Sequence, residues 1–455
     1  MDTFRGRGER LTPVDAAWMR MDEPTNPMMT TGMYLLDGHI DRRRLVRIFR
    51  RVLAGHPRFT QRIVAGRGGP RWVADPDFDV ADHVVGVQVE ALGDVAALRE
   101  LIAERMSSPL SAEDRMWQVD VVDGLAGERG ALIFRIQHAV ADGPALLNVM
   151  ADLTDARRTG HRAGDARSYL RMDGATPASA PDHAFGLRGI RAALTAGSQA
   201  VTGVAELLRV VTGPPDPDTG LRGELGHQKV AGWTAPIALE RFRPIRRVTG
   251  ATVNDIVLAC TAGGMRRYLL DRGESLDGVE VRAMVPVNLK ALSGAIEADA
   301  GNHFGLVYLT LPIGIDDPFA RLHATRRCAE RVKASGEAPV SYAVLGAVGL
   351  LPPQVLGPAI GFFGSRATAV ITNVPGPAAH RFLAGRRIEE IVFWVPMAAR
   401  LGVGISVMSY AGSVTIGIAS DAGLVPEPQR LASAIGDGFD RLEREVALGA
   451  ARTSI

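Results

Sequence analysis

Residues 130–153 read GALIFRIQHAVADGPALLNVMADL, and the pattern changes character halfway. The first part, 130–140, is a nearly continuous apolar run of the kind that forms a buried strand. The second part, GPALLNVMADL at 143–153, reads as a helix. A buried strand that gives way to a helix start aims the side chains between them into a cleft. Those side chains are Gln137, His138 and Asp142, closed by Gly143. Just upstream, MWQVDVVDG at 116–124 predicts a second strand, joined to the first by a turn at Leu125–Arg129.

Working outward, the same signals recur. PVDAAWMRMD at 13–22 predicts a short helix, and TTGMYLLDG at 30–38 a strand ending in a turn. DRRRLVRIFRRVLA at 41–54 predicts an amphipathic helix with Asp41 as N-cap and Leu45, Ile48, Phe49, Val52 and Leu53 on one face. Its other face carries Arg42, Arg43, Arg47, Arg50 and Arg51, which suit either plain solvation or attraction to anionic lipid headgroups. TVNDIVLACTAGGMRRYLL at 252–270 predicts a helix with Thr252 or Asn254 near its start. VEVRAMVPVNL at 279–289, FGLVYLTLPI at 304–313 and ATAVITNVPG at 367–376 are β-rich, and 401–421 predicts a hairpin turning at Ala411–Gly412. Residues 155–183 and 213–220 carry linker composition, with a helical pattern returning over 186–211.

Bulk composition narrows the function classes. At 455 residues the chain exceeds one ordinary core, so two domains or two halves sharing an interface are expected. A net charge of +2 gives no nucleic-acid footprint. Cys260 and Cys328 lack Cys-x-x-Cys neighbours, which argues against a disulfide scaffold or structural zinc and fits a reducing cytoplasm. The N-terminus has no apolar segment of signal-peptide type. The most apolar stretch, 343–364, is broken by Pro352, Pro353 and Pro358, so it predicts a buried helix pair or a lipid-touching surface rather than a membrane span.

Among chemistry-bearing residues, His138 stands out. An imidazole titrating near pH 6.5 is the usual general base at neutral pH, although a lone histidine in a strand is more often a satisfied core residue. Asp142 would orient the ring or fix the loop, with Arg282 a candidate ion partner. Gly143 would permit a tight turn or close backbone approach. Asn254 and Asp255 admit a capping or half-bridging role as readily as a functional one. Arg241, Arg243, Arg246 and Arg247 would meet phosphates or simply be solvated. No G-x-S-x-G, Walker A or Rossmann fingerprint is present, and the histidines are too scattered to suggest a metal site.

QHAVADG resembles the H-H-x-x-x-D-G signature of CoA-dependent acyltransferases. The surrounding motifs resemble one branch, the bacterial wax ester synthase/diacylglycerol acyltransferases. The run PVDAAWMRMDEPTNPMMTTGMYLLDG at 13–38 looks like that family's opening. SPL at 108–110, MW at 116–117, DGL at 123–125, TVNDIVLA at 252–259, RAMVPVNLK at 282–290, GNHFG at 301–305, TNVPGP at 372–377, SYAG at 409–412 and ASDAGLVPEP at 419–428 follow in family order. The chain departs from the pattern at three places. Gln137 replaces the first histidine, Arg115-Met116-Trp117 replaces Pro-Leu-Trp, and Pro286-Val287-Asn288 replaces Pro-Val-Ser.

The resemblance implies an α/β fold of two chloramphenicol acetyltransferase-like domains enclosing a central substrate tunnel. Residues 1–154 would form the N-terminal domain, 155–225 a linker with connecting helices, and 226–455 the C-terminal domain. It implies O-acyl transfer from acyl-CoA to an apolar alcohol or diacylglycerol, with His138 and Asp142 catalytic. Gln137, Gly143, Asn254 and Asp255 would support them. Trp117, Asn302, Ser406 and Ser409 would face substrate, the polar ones as candidate oxyanion donors beside backbone N–H groups. No cofactor or metal is expected, since a thioester meets an alcohol without either. Partners would be acyl-CoA, the apolar acceptor and a membrane or lipid-droplet surface bound peripherally from the cytoplasm. Rival readings are a same-fold acyltransferase for a polar or secondary-metabolite acceptor, and a catalytically inactive lipid-binding homologue.

Overall fold

The computed structural model describes residues 8–66, 69–89, 95–110, 115–141, 143–157, 212–288, 304–335, 337–348 and 361–453. Asp142, Asn302, the helical pattern at 186–211 and most of the expected linker lie outside these residues.

Two large sheets organise the described chain. Their strands, in chain order, are β1 (Met29–Leu36), β2 (Val84–Gln88), β3 (Trp117–Asp123), β4 (Gly130–Gln137), β5 (Lys229–Trp233), β6 (Val281–Asn288), β7 (Phe304–Leu311), β8 (Ala369–Pro375), β9 (Phe382–Leu383), β10 (Arg386–Trp394), β11 (Val403–Tyr410) and β12 (Ser413–Asp421). The first sheet runs in the order β9-β10-β1-β4-β3-β2, and the second in the order β7-β6-β8-β11-β12-β5, with Ile237–Ala238 pairing beside β12.

β10 is the element that joins the halves. It comes late in the chain, yet it pairs antiparallel with β1, Trp394 opposite Thr31 and Ile391 opposite Tyr34. The first sheet is therefore not built from the N-terminal segment alone. At its far end β10 meets the second sheet. The Phe393 carbonyl accepts the Ser406 hydroxyl and lies where a Cβ on Gly417 would fall, at 2.4 Å. Only glycine at 417 lets the two backbones approach so closely.

Helices cover both sheets. They are α1 (Pro13–Arg20), α2 (Arg42–Leu53), α3 (Val95–Ser107), α4 (Gly143–Leu153), α5 (Phe242–Thr249), α6 (Val253–Asp271), α7 (Pro318–Ala334), α8 (Glu337–Val348) and α9 (Pro428–Thr453). α2 begins where its sequence predicts, with Asp41 accepting the Arg43 N–H at 2.9 Å. It buries Leu45, Ile48, Phe49 and Leu53, each contributing roughly 1.5–3 kcal/mol of apolar burial. The expected hairpin is present, with Ala411 and Gly412 both at positive φ in the turn between β11 and β12. A buried ion pair, Lys229–Asp421 at 2.8 Å, ties β5 to the end of β12. α3 reaches across from the N-terminal half, where Ser107 Oγ accepts the Lys229 N–H at 2.8 Å. Cys260 and Cys328 are free thiols, both buried.

Candidate active site

β4 ends at Gln137, residues 138–140 turn, and α4 begins at Gly143. Backbone hydrogen bonds fix this corner. The Gln137 N–H donates to Met116 O at 2.8 Å, His138 N–H to Met28 O at 2.8 Å, and Val140 N–H to Gln137 O at 2.9 Å. The Gln137 side chain closes the turn from inside, its Oε1 accepting the Ala139 N–H at 2.8 Å. Met28, which holds His138, is itself held, its N–H donating to Asp22 Oδ1 at 2.6 Å. Burial raises the Asp22 carboxyl above the usual range, opposed by the Met28 N–H and by the Gln137 amide. The Gln137 Nε2 is buried and, among the described residues, makes no hydrogen bond of regular distance and angle.

The His138 imidazole stacks on Trp18, ring centroids 4.5 Å apart and planes 18° apart, with Phe304 tilted beside both. Val14, Trp18, Met28 and Phe304 form one apolar cluster here, with Met21, Leu306 and Tyr342 packed against it. α1 is pinned so as to present Trp18. Thr12 Oγ accepts the Asp15 N–H at 3.0 Å, Pro13 opens the helix, and the buried Asp15 carboxylate pairs with Arg58 at 3.1 Å. Neither Trp18 nor Phe304 is singled out by sequence reasoning. An aromatic at one helical position reads as ordinary core until its neighbour is known.

The Asn-Asp motif divides into two roles. Thr252 and Asp255 form a reciprocal capping box, the Asp255 N–H to Thr252 Oγ at 3.1 Å and the Thr252 N–H to Asp255 Oδ2 at 2.9 Å. Asn254 is not the cap, because its Oδ1 accepts from Asn373 Nδ2 of β8 at 2.9 Å. The next residue of β8, Val374, lies 3.5 Å from where a Cβ on Gly143 would sit. So α6, β8 and the start of α4 converge. Among the described residues a Cβ on Gly143 would meet Val374 at ordinary contact distance, and Gly143 is not at positive φ.

The other expected site residues that are described have these surroundings. Trp117 is buried in the N-terminal core, stacked on His83 at 4.4 Å with its Nε1 donating to Phe59 O at 2.9 Å. The Ser406 hydroxyl donates toward the Phe393 and Gly417 carbonyls at the seam between sheets. Ser409 lies on β11, half-buried, its carbonyl accepting the Gly376 N–H at 2.8 Å. Arg282 is held by Asp216, Nε to Oδ1 at 2.6 Å, and by Pro214 O at 2.7 Å. In the basic run, Arg241 bonds Asp440 at 2.7 Å and Glu443 at 2.5 Å, which raises its pKa and makes it a helix tie, while Arg246 and Arg247 are exposed. Among the described residues no group of His, Cys, Asp and Glu is placed to hold a metal ion, and no helix is long and apolar enough to cross a membrane.

Two mixed sheets stitched by a late strand, with a histidine at a strand-to-helix corner between them, define the class of chloramphenicol acetyltransferase-like acyltransferases. Solved structures share this fold. A wax ester synthase/diacylglycerol acyltransferase from Marinobacter aquaeolei VT8 superposes with a TM-score of 0.69 at 19% identity, covering 96% of this chain and 100% of that one. The first condensation domain of the calcium-dependent antibiotic synthetase superposes with a TM-score of 0.60 at 16% identity, with 97% of each chain covered. The wax ester synthase/diacylglycerol acyltransferase catalytic-domain model matches residues 11–257, and the C-terminal-domain model of the same family matches 300–443. The chain belongs to this family and is an acyltransferase. A probable diacylglycerol O-acyltransferase of Mycobacterium tuberculosis is 28% identical over 384 residues, 82% of this chain and 81% of the relative. A putative diacylglycerol O-acyltransferase of the same species is 26% identical over 476 residues, 98% of each chain.

Proposed function

We propose that this acyltransferase moves a fatty acyl group from acyl-CoA to an apolar alcohol or diacylglycerol, giving wax ester or triacylglycerol, with His138 as general base. The observation that carries the reading is the position of His138. It is fixed by its backbone to Met28 and set among Trp18, Phe304 and Met28, where an apolar substrate loses little by leaving water. The alcohol proton passes to the imidazole as its oxygen attacks the thioester carbonyl, and the same imidazole returns it to the departing thiolate. The reaction asks for no metal or organic cofactor. Substrates reach His138 through a tunnel between the two halves, where Asn254, Asn373 and Val374 line up beside the start of α4. The exposed arginines of α2 support peripheral attraction to anionic lipid, at a membrane or droplet surface facing the cytoplasm.

The test is CoA release from acyl-CoAs with a panel of alcohols and diacylglycerol, before and after chelation. Transfer to long-chain alcohol or diacylglycerol, lost by about 10²–10⁴-fold in His138→Ala, is expected. Preference for a polar acceptor would move the protein to the secondary-metabolite reading, and absence of any transfer would leave the lipid-binding one.

A further inference from the structure

We propose that the indole N–H of Trp18 is the donor that receives the thioester carbonyl oxygen as it becomes an oxyanion. This assignment rests on the acyl-transfer reading above. Trp18 is only 7% exposed, and its Nε1 is buried with no acceptor among the described residues. An unpaired buried donor costs about 1–3 kcal/mol, a penalty that a ligand oxygen removes. The indole that carries it lies flat against the imidazole, 4.5 Å between centroids. During transfer the alcohol oxygen stands about 3 Å from the imidazole nitrogen, and the attacked carbonyl lies immediately beyond it. The indole is the ring packed face to face on that base, so the proposal places the carbonyl oxygen at the edge of the stacked pair. Trp72 also carries a buried unpaired Nε1, but Arg58 covers its face and no basic side chain of the candidate site adjoins it.

Two further observations favour Trp18. The Ser406 hydroxyl, one of the two rival side-chain donors among the described residues beside Ser409, already faces the Phe393 and Gly417 carbonyls. The surroundings of Trp18 are apolar, Val14, Met28 and Phe304, so a fixed donor acts there with little dielectric screening. The chemistry balances without proton transfer from the indole. The alcohol oxygen bonds to the carbonyl carbon while His138 takes its proton, and the carbonyl π pair moves to the oxygen facing Trp18. The pair then returns, the C–S bond breaks, and the thiolate takes the proton from His138, leaving ester and CoA thiol.

The experiment uses the full chain with ¹⁵N-labelled tryptophan and a ketone analogue of palmitoyl-CoA in which CH₂ replaces sulfur, so that it binds but cannot transfer. The Trp18 indole N–H signal, assigned by its loss in Trp18→Phe, should move downfield at saturation. Trp18→Phe keeps an aromatic ring beside His138 but removes the donor together with the pyrrole ring, so a thermal melt accompanies the kinetics to separate lost packing from lost donation. The substitution should lower kcat by about 10²-fold, the usual effect of losing one oxyanion donor, with KM for acyl-CoA changed by less than about threefold. An unmoved Trp18 signal while other resonances report binding overturns the assignment and leaves the acyl-transfer reading intact, as does a Trp18→Phe enzyme with wild-type kcat. A wild-type protein that neither binds the analogue nor transfers an acyl group refutes both.

Discussion

Gln137 stands where the signature that QHAVADG resembles has a histidine, and its substitution separates support from chemistry. In Gln137→Ala the Ala139 N–H, in a residue with 0% exposure, loses the Gln137 Oε1 that accepts it. Leaving that donor unpaired costs about 1–3 kcal/mol. The rate should suffer less than the stability. His138 keeps its backbone bond to Met28 and its stack on Trp18, so the base remains in place with a looser turn behind it. A kcat within about tenfold of wild type is expected, against about 10²–10⁴-fold for loss of the base itself. Gln137→His should be close to neutral in rate at neutral pH, because an unprotonated ring nitrogen can accept the Ala139 N–H. Its stability should fall on acidification, when that nitrogen protonates and becomes a donor. The assays are steady-state CoA release and urea denaturation at pH 5 and pH 8. A Gln137→Ala enzyme as impaired as His138→Ala would show that the amide takes part in the reaction. A Gln137→His enzyme faster by orders of magnitude would show that the natural residue cripples the site.

Glu390 on β10 is pushed up to about 7, chiefly by burial and against the opposing charge of Arg129. A carboxyl raised in the fold loses stability as pH rises from about 4.5 through 7, at most about 3 kcal/mol here. Glu390→Gln should therefore stabilise the protein by about 1–3 kcal/mol at pH 8 and have no effect at pH 4; equal effects at both pH values in denaturant titrations would refute the burial argument. Lys229→Met leaves the Asp421 carboxylate buried without its cation and should cost about 3–5 kcal/mol in the same titrations, whereas a neutral result would mean that the Gly226 and Gly423 amides suffice. Cys260, whose thiol burial pushes up to about 12, should react with a disulfide reagent only after unfolding; prompt labelling of the native protein at Cys260 would show that α6 opens.

Much of the local structure could be read directly from the residues, because the forces that set it act over a few positions. The apolar run to Gln137, the helix from Gly143 to Leu153, the Asp41 cap and the Ala411–Gly412 turn all depend on neighbours in sequence. So does the corner that carries His138. The limits of local reading are visible in α3, α7 and α9, which sequence periodicity left unassigned and which pack as long covering helices.

What the residues could not reveal is who faces whom. Nothing in RRIEEIVFW announces that β10 will leave the segment around it and pair with β1, some 350 positions earlier by the Asp37–Arg387 contact. That choice depends on the edge that β1 offers to a partner from far along the chain. The same holds for Trp18 against His138, Asn254 against Asn373, and Ser406 against Phe393. The sequence by itself determined the elements, their caps and the presence of a histidine at a strand-to-helix corner. Tertiary structure alone decided which side chains surround that histidine, because long-range pairing is selected by complementary surfaces and leaves no period in the chain.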